Sequence, residues 1–224
     1  MTRINVPIQK LKLKTHGEKV SNLCEVERLV KRLQENGEPL TESLIQLLLY
    51  YDYLGKAGVH FFTRVSHNVG KGEWFFWFAP DADVIEVRGG ETVVGYELKG
   101  MVKTRRGGYE MPGIYAGLDE ALTYLVNPSL VETPDSKPEF LGSIFDFVYL
   151  VHPSDFDPRI AEMVEKCTPI GLATINYDGV REVVQARPNP FVSAKVKERF
   201  LTHIQVLSAF ERIILTLTKP MLLC

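Results

Sequence analysis

The spacing of apolar residues divides the chain into two helical stretches, a run of strands broken by single helices, and a helical end. Leu23, Val26, Leu29, Val30 and Leu33 recur at helical spacing behind Ser21 and Asn22, either of which can cap a first helix running to about Gln34. A second helix is predicted from near Thr41, after Pro39, to about Gly55. Leu44, Ile45, Leu47, Leu48, Leu49, Tyr50 and Tyr51 cover most of its circumference, so it should be largely buried. The pattern then changes. Residues 59–65 and 73–78 are rich in β-branched and aromatic residues and read as strands separated by a turn around Gly70 and Gly72. Residues 83–88 and 92–99 flank Gly89 and Gly90 and give the clearest hairpin of the chain. A basic loop (Lys103, Thr104, Arg105, Arg106, Gly107, Gly108) leads to a helix over 113–126, a loop over 127–138, an apolar strand over 144–152 and a short helix over 158–166. Residues 170–177 and 180–186 flank Asp178 and Gly179, a two-residue hairpin signal. Pro188 and Pro190 close the sheet, and 194–217 reads as one long helix. The first twenty residues, with Lys10, Lys12, Lys14 and Lys19 among scattered apolar positions, suit an edge strand or a loose arm.

Helices first, then a strand meander, a helix, a strand and a final hairpin predict an α/β fold with a mixed central sheet flanked by helices and an added long C-terminal helix. The 224 residues suffice for a single domain, 1–224, with an arm and helix over 1–40, a core over 41–187 and a helical extension over 188–224. A hydrophobic content of 45% and a charged content of 24% are those of an ordinary folded protein, and no apolar run reaches the length of a membrane span. The start of the chain lacks the apolar core of a secretory signal. Cys24, Cys167 and Cys224 are far apart and lack CxxC spacing, which fits reduced thiols in the cytoplasm. The net charge of −2 argues against a protein that coats nucleic acid nonspecifically. Local charge matters more, because an acidic site offsets a basic surface in the total.

Candidate chemistry centres on the Gly89–Gly90 hairpin. Strand side chains alternate, so Glu97 and Lys99 share a face. Whether an aspartate joins them depends on the turn. A two-residue loop would pair Asp83 with Tyr96 and turn Asp81 and Asp83 away. A three-residue loop, Gly89, Gly90 and Glu91, sets Asp83 opposite Glu97 and Asp81 opposite Lys99, with Ile85, Val87 and Val93 as an apolar floor. An odd loop or a bulge is therefore predicted. Two carboxylates and substrate phosphate oxygens are a typical setting for Mg²⁺, or Mn²⁺, so Asp83 and Glu97 are the candidate metal ligands. Such an ion lowers the pKa of a bound water and stabilises charge on a phosphate, while Lys99 would orient the nucleophile, help deprotonate it, or neutralise developing charge.

An aspartate leading an apolar strand, a glycine turn, a strand ending in Glu97, Leu98 and Lys99, and then a helix and a strand resemble the PD-(D/E)XK phosphodiesterase superfamily over about residues 41–152. That resemblance implies a restriction-endonuclease-like fold and a metal-dependent nuclease, with Asp83, Glu97 and Lys99 catalytic and DNA the favoured substrate. Asp81, which follows Pro80 as in the motif, is the alternate to Asp83. A further acid on the first core helix would be Glu42 or Asp52. The alternative reading keeps the fold without the activity, as a nucleic-acid-binding or assembly protein.

Lys103, Arg105 and Arg106 are candidate phosphate contacts, weighed evenly against an ordinary solvated loop. Glycines 107 and 108 suggest that the loop moves. Tyr115, Glu120 and Tyr124 fall on the helix after the motif, where some nucleases of this type place a Gln or Tyr near the site; core packing is the favoured role of both tyrosines. His60, His67 and His203 read as structural, and Phe75, Phe76, Trp77 and Phe78 as a strand buried on both faces rather than a base-stacking surface. The last helix either covers the sheet or forms an interface, and a homodimer would suit cutting both strands of a duplex.

Overall fold

The computed structural model describes residues 13–15, 18–20, 23–53, 59–65, 69–71, 74–77, 81–113, 115–127, 129–131 and 142–210. The N-terminal arm contains two short antiparallel strands, β1 Leu13–Thr15 and β2 Glu18–Val20. Helix α1, Leu23–Glu35, buries Leu29, Val30 and Leu33, the apolar stripe its spacing predicted. Helix α2, Glu42–Tyr53, is buried at every position from Ser43 to Leu49. Each of its buried leucines contributes about 1.5–3 kcal/mol relative to exposure.

Strand β3, Val59–Val65, pairs antiparallel with a later strand, and the chain between them forms part of a second sheet. Strands β4, Val69–Lys71, and β5, Trp74–Trp77, pair with each other, and Gly70 stands inside β4 opposite Phe75 instead of in a turn. Glycine is a turn residue by local propensity, and ladder pairing overrides that here. The main sheet resumes with β6, Ala82–Arg88, and β7, Thr92–Leu98. The polar loop after it is a small hairpin, β8 Val102–Lys103 with β9 Tyr109–Glu110.

Helix α3 spans only Leu118–Tyr124, shorter than the predicted 113–126. Its N-cap, Gly117, has φ of 81°, a left-handed conformation that cannot continue a helix. Strand β10, Ser129–Val131, lies in the segment read as loop and completes the second sheet beside β5. Its partner is distant in sequence, so local pattern did not reveal it. Strand β11, Phe147–His152, is followed by α4, Pro158–Cys167, which Asp157 caps by accepting from the Arg159 amide. The last hairpin, β12 Gly171–Asn176 and β13 Gly179–Val184, turns at Tyr177 and Asp178, one residue earlier than predicted. The Asn176 side chain accepts from the Asp178 amide and fixes that turn. Helix α5 runs Ala194–Phe210.

The six-stranded sheet has the order β13-β12-β11-β7-β6-β3, parallel through β12, β11 and β7 and antiparallel elsewhere. One face packs on α1 and α2 through Val84, Val94, Tyr96, Leu98, Val151 and Ile175. On the other face Ile85, Val87, Val93, Val148, Leu150 and Leu172 pack with residues of α3, α4 and α5. Val196 and Phe200 of α5 are buried there, so the start of the last helix covers the sheet. The protein is thus α/β, a mixed sheet flanked by helices. No described helix is long and apolar enough to cross a membrane. Ser21, Asn22, His67, Phe78, Cys224 and the chain after Phe210 lie outside the described residues, as do the side chains of Cys24, Asp52, His60, Phe75, Phe76, Trp77 and His203.

Candidate active site on the β6–β7 hairpin

The pairing of β6 with β7 decides which side chains meet. Arg88 stands opposite Thr92 and Val84 opposite Tyr96, leaving Gly89, Gly90 and Glu91 as a three-residue loop. Gly89 and Gly90 both have positive φ, 59° and 79°, and the Glu91 amide donates to the Arg88 carbonyl at 3.2 Å. This is a type I′ turn with Glu91 as the extra residue. One step beyond Val84 and Tyr96, the same ladder sets Asp83 facing Glu97, as the parity of the sequence required.

Three elements then converge on these two acids. The Leu98 amide donates to Asp83 Oδ2 at 2.9 Å. Lys99 Nζ lies 2.6 Å from Glu97 Oε1 and 2.5 Å from Glu120 Oε2 on α3. Tyr124, one turn further along α3, places its hydroxyl 2.7 Å from Glu97 Oε2 and 2.9 Å from the Asp81 carbonyl, and accepts from the Asp83 amide at 3.0 Å. Packing fixes that hydroxyl. Gly95 of β7 leaves room for the Phe145 ring, which would press within 2.8 Å of a Cβ there, and the Tyr124 ring stacks on Phe145 at 5.5 Å. Gly117 does the same for Lys99: a Cβ would come within 2.7 Å of Lys99 Cε. At the strand end a Cβ on Gly100 would meet the Glu42 amide nitrogen at 2.1 Å, so the start of α2 abuts β7 and carries Glu42 toward the site.

Electrostatics follow from this crowding. Burial raises the Asp83 carboxyl to about 6; the Leu98 amide and Lys99 oppose that rise, while Glu42 and Glu120 add to it. Glu97 is pushed up to about 9 by burial first and then by Glu120 and Asp83, against Lys99 and Tyr124. For Lys99, burial alone would favour the neutral amine, but Glu120 and Glu97 outweigh it and hold the ammonium above its usual range. Glu120 is held below the ordinary carboxyl value by Glu97 and Lys99. Burial and the charges of Asp83 and Glu97 keep the Tyr124 phenol protonated. That hydroxyl has a single proton for two acceptors, so one of them needs a proton of its own, and Glu97 is the group that can take one.

The structure thus brings Asp83, Glu97 and Lys99 together. It leaves Asp81 exposed, with its backbone carbonyl on Tyr124. Of the two helix acids, Glu42 has a charge that reaches Asp83, and the side chain of Asp52 lies outside the described residues. Tyr124 is completely buried and touches the acids, so its role extends beyond core packing, whereas Tyr115 is 62% exposed and packs in no core. Lys103, Arg105 and Arg106 sit on the β8–β9 hairpin, exposed and without an ion pair among the described residues. Pairing of Val102 with Glu110 and of Lys103 with Tyr109 closes that segment into a hairpin. His152, which no sequence pattern singled out, is buried beside the site, with Nε2 3.1 Å from the Ala116 carbonyl and its proton affinity lowered by burial. Among the described residues no group of three or more His, Cys, Asp or Glu side chains is disposed to hold a metal ion. Asp83 and Glu97 bring carboxyl oxygens together, the kind of hard donor that could hold a divalent cation once both are ionised.

No known protein family matches the chain, and no curated protein matches it. Among solved structures it is similar to SPO1766, a protein of unknown function from Silicibacter pomeroyi, at 13% identity and a TM-score of 0.38, over 77% of this chain and 86% of that one. A likeness of that size carries no argument about function.

Proposed function

We propose that the protein is a metal-dependent nuclease of restriction-endonuclease-like fold that hydrolyses phosphodiester bonds, most readily in DNA. The observation that carries this reading is the hairpin register, which sets Asp83 against Glu97 with Lys99 ion-paired on the same face. Element order supports it: buried helix, meander, acid pair on the second and third strands, then helix and strand. Asp83 and Glu97 would suit a divalent cation, because neighbouring strands bring their hard carboxyl oxygens together and a bound cation would favour the ionised forms that burial opposes. Mg²⁺ or Mn²⁺ held by these two would supply a water of lowered pKa and charge to stabilise the phosphate.

The chain's own groups divide the remaining work. Lys99 stays protonated, so of its three candidate roles proton abstraction is the one its environment opposes. Two of its three N–H donors face Glu97 and Glu120, which leaves one for a water or a phosphoryl oxygen. Glu120 aims the ammonium, and Tyr124 aims Glu97 while tying it to the Asp81–Asp83 backbone. Lys103, Arg105 and Arg106, exposed on the hairpin that follows β7, would bind substrate phosphates. A cytoplasmic setting fits the free, exposed Cys167, and a homodimer would suit cleavage of both strands of a duplex.

Cleavage assays on duplex, single-stranded and branched DNA with Mg²⁺ test the reading. Lys99→Ala is expected to lose a factor of about 10²–10³. Cleavage without a divalent ion, or full activity in that variant, would overturn the mechanism.

A further inference from the structure

The parallel strands β7, β11 and β12 end at one edge of the sheet, and their register lines up a second set of polar groups there. Leu98 pairs with Val151 and His152 with Thr174, and Thr174 pairs with Arg181 on β13. Arg181 Nε stands 3.4 Å from Thr174 Oγ1. Lys99, His152, Thr174 and Arg181 therefore belong to one cross-strand row, with Lys99 and Arg181 at its ends. Three strand spacings separate those ends, about 14 Å. At the Arg181 end lies a cavity of about 460 Å³, lined by Ser154, Asp155, Thr174, Asn176, Asp178 and Arg181 among others. Ligand sites in open α/β sheets lie outside the carboxyl ends of parallel strands, and this cavity has that position.

We infer that this cavity is a second phosphate contact, through which Arg181 holds a polynucleotide strand bound at the Asp83–Glu97 centre. The inference rests on the nuclease reading. A guanidinium presents donors that match two phosphate oxygens, and the side chain of Arg181 is 69% exposed. In the structure it pairs with Asp155, whose side chain is 79% exposed. Exposed pairs of this kind are weak and exchange readily for a phosphate. Asp155 and Asp178 make the cavity unfavourable for a free anion. A phosphate therefore enters it only when the rest of the strand is already anchored, which raises its local concentration. A span of about 14 Å corresponds to roughly four base-pair rises along the axis of a duplex, more than a dinucleotide covers.

The test compares wild type, Arg181→Ala and Asp155→Asn in binding fluorescent oligonucleotides of two and twelve nucleotides in Ca²⁺, at several salt concentrations. Hydrolysis of bis(4-nitrophenyl) phosphate in Mg²⁺ is measured alongside. Arg181→Ala is expected to weaken the twelve-mer roughly tenfold and to lower its salt slope by about one, leaving the dinucleotide unaffected. Asp155→Asn, which frees the arginine, is expected to tighten the twelve-mer. Both variants hydrolyse the small diester like wild type. If wild type hydrolyses the small diester but Arg181→Ala binds the twelve-mer with unchanged affinity and salt slope, or Asp155→Asn weakens it, the second contact is wrong and the nuclease reading stands. If wild type hydrolyses neither the small diester nor, with Mg²⁺ in place of Ca²⁺, the twelve-mer, the nuclease reading fails; a length-dependent loss in Arg181→Ala would then still assign the cavity to polynucleotide binding.

Discussion

At the scale of single residues the site is a set of acids held at an electrostatic cost by one lysine and one phenol. Removing the Tyr124 hydroxyl deletes its hydrogen bonds with the Asp83 amide, the Asp81 carbonyl and Glu97, so Tyr124→Phe should lower stability by about 1–3 kcal/mol in urea unfolding. The proposed metal site carries a pH signature. A cation bound there would displace protons from Asp83, at about 6, and Glu97, at about 9, so Mg²⁺ affinity should rise with pH across that interval and level off above it. Calorimetric titrations in buffers of different ionisation enthalpy at pH 7 should show proton release; none would mean that the ion binds elsewhere. The trio Asp83, Glu97 and Lys99 was legible because its members lie on adjoining strands, where alternation and turn length suffice to place them. Tyr124 and Glu120 were visible only as residues on a following helix. Nothing local states that the chain from Gly100 onward returns α3 over β7, nor that Gly95 and Phe145 leave a slot for one ring.

At the scale of elements, backbone space decides the alignment. Gly117 caps α3 in a left-handed conformation and lies against the Lys99 stem. Gly117→Ala should therefore combine about 1–2 kcal/mol of backbone strain with a displaced lysine. Cleavage should fall well beyond what the loss of stability explains, and wild-type rates in a folded Gly117→Ala protein would contradict this account of Lys99 placement. The same glycine explains why the predicted helix over 113–126 was too long: apolar periodicity runs on through residues whose backbone does not. Strands β4 and β10 were misread for the converse reason, since each is defined by a partner strand and carries little signal alone.

At the scale of the whole molecule, the acid pair couples stability to pH. Both carboxyls have folded-state values above their ordinary ones, so their stabilising protonation is complete below about pH 4 and is lost as pH rises through about 6 for Asp83 and about 9 for Glu97. The metal-free protein should thus lose stability steadily from this source as pH rises from 5 to 9. Glu97→Gln should flatten that slope, and saturating Mg²⁺ should do the same for wild type, as followed by thermal melts. Equal slopes for wild type and Glu97→Gln would show that Glu97 carries no displaced proton. The six-stranded order was legible only as a mixed sheet with helices, because the sequence shows which segments are strands more readily than which neighbours they choose.

The three residues between Arg88 and Thr92 also set a rule for inheritance. Losing a single residue there would leave a two-residue loop, whose pairing turns Asp83 away from Glu97, whereas an added residue can be taken up as a four-residue loop with the strand pairing intact. Working descendants of this chain should therefore tolerate insertions at Gly89–Gly90–Glu91 better than deletions, and library selection for cleavage should reject the loss of one residue there.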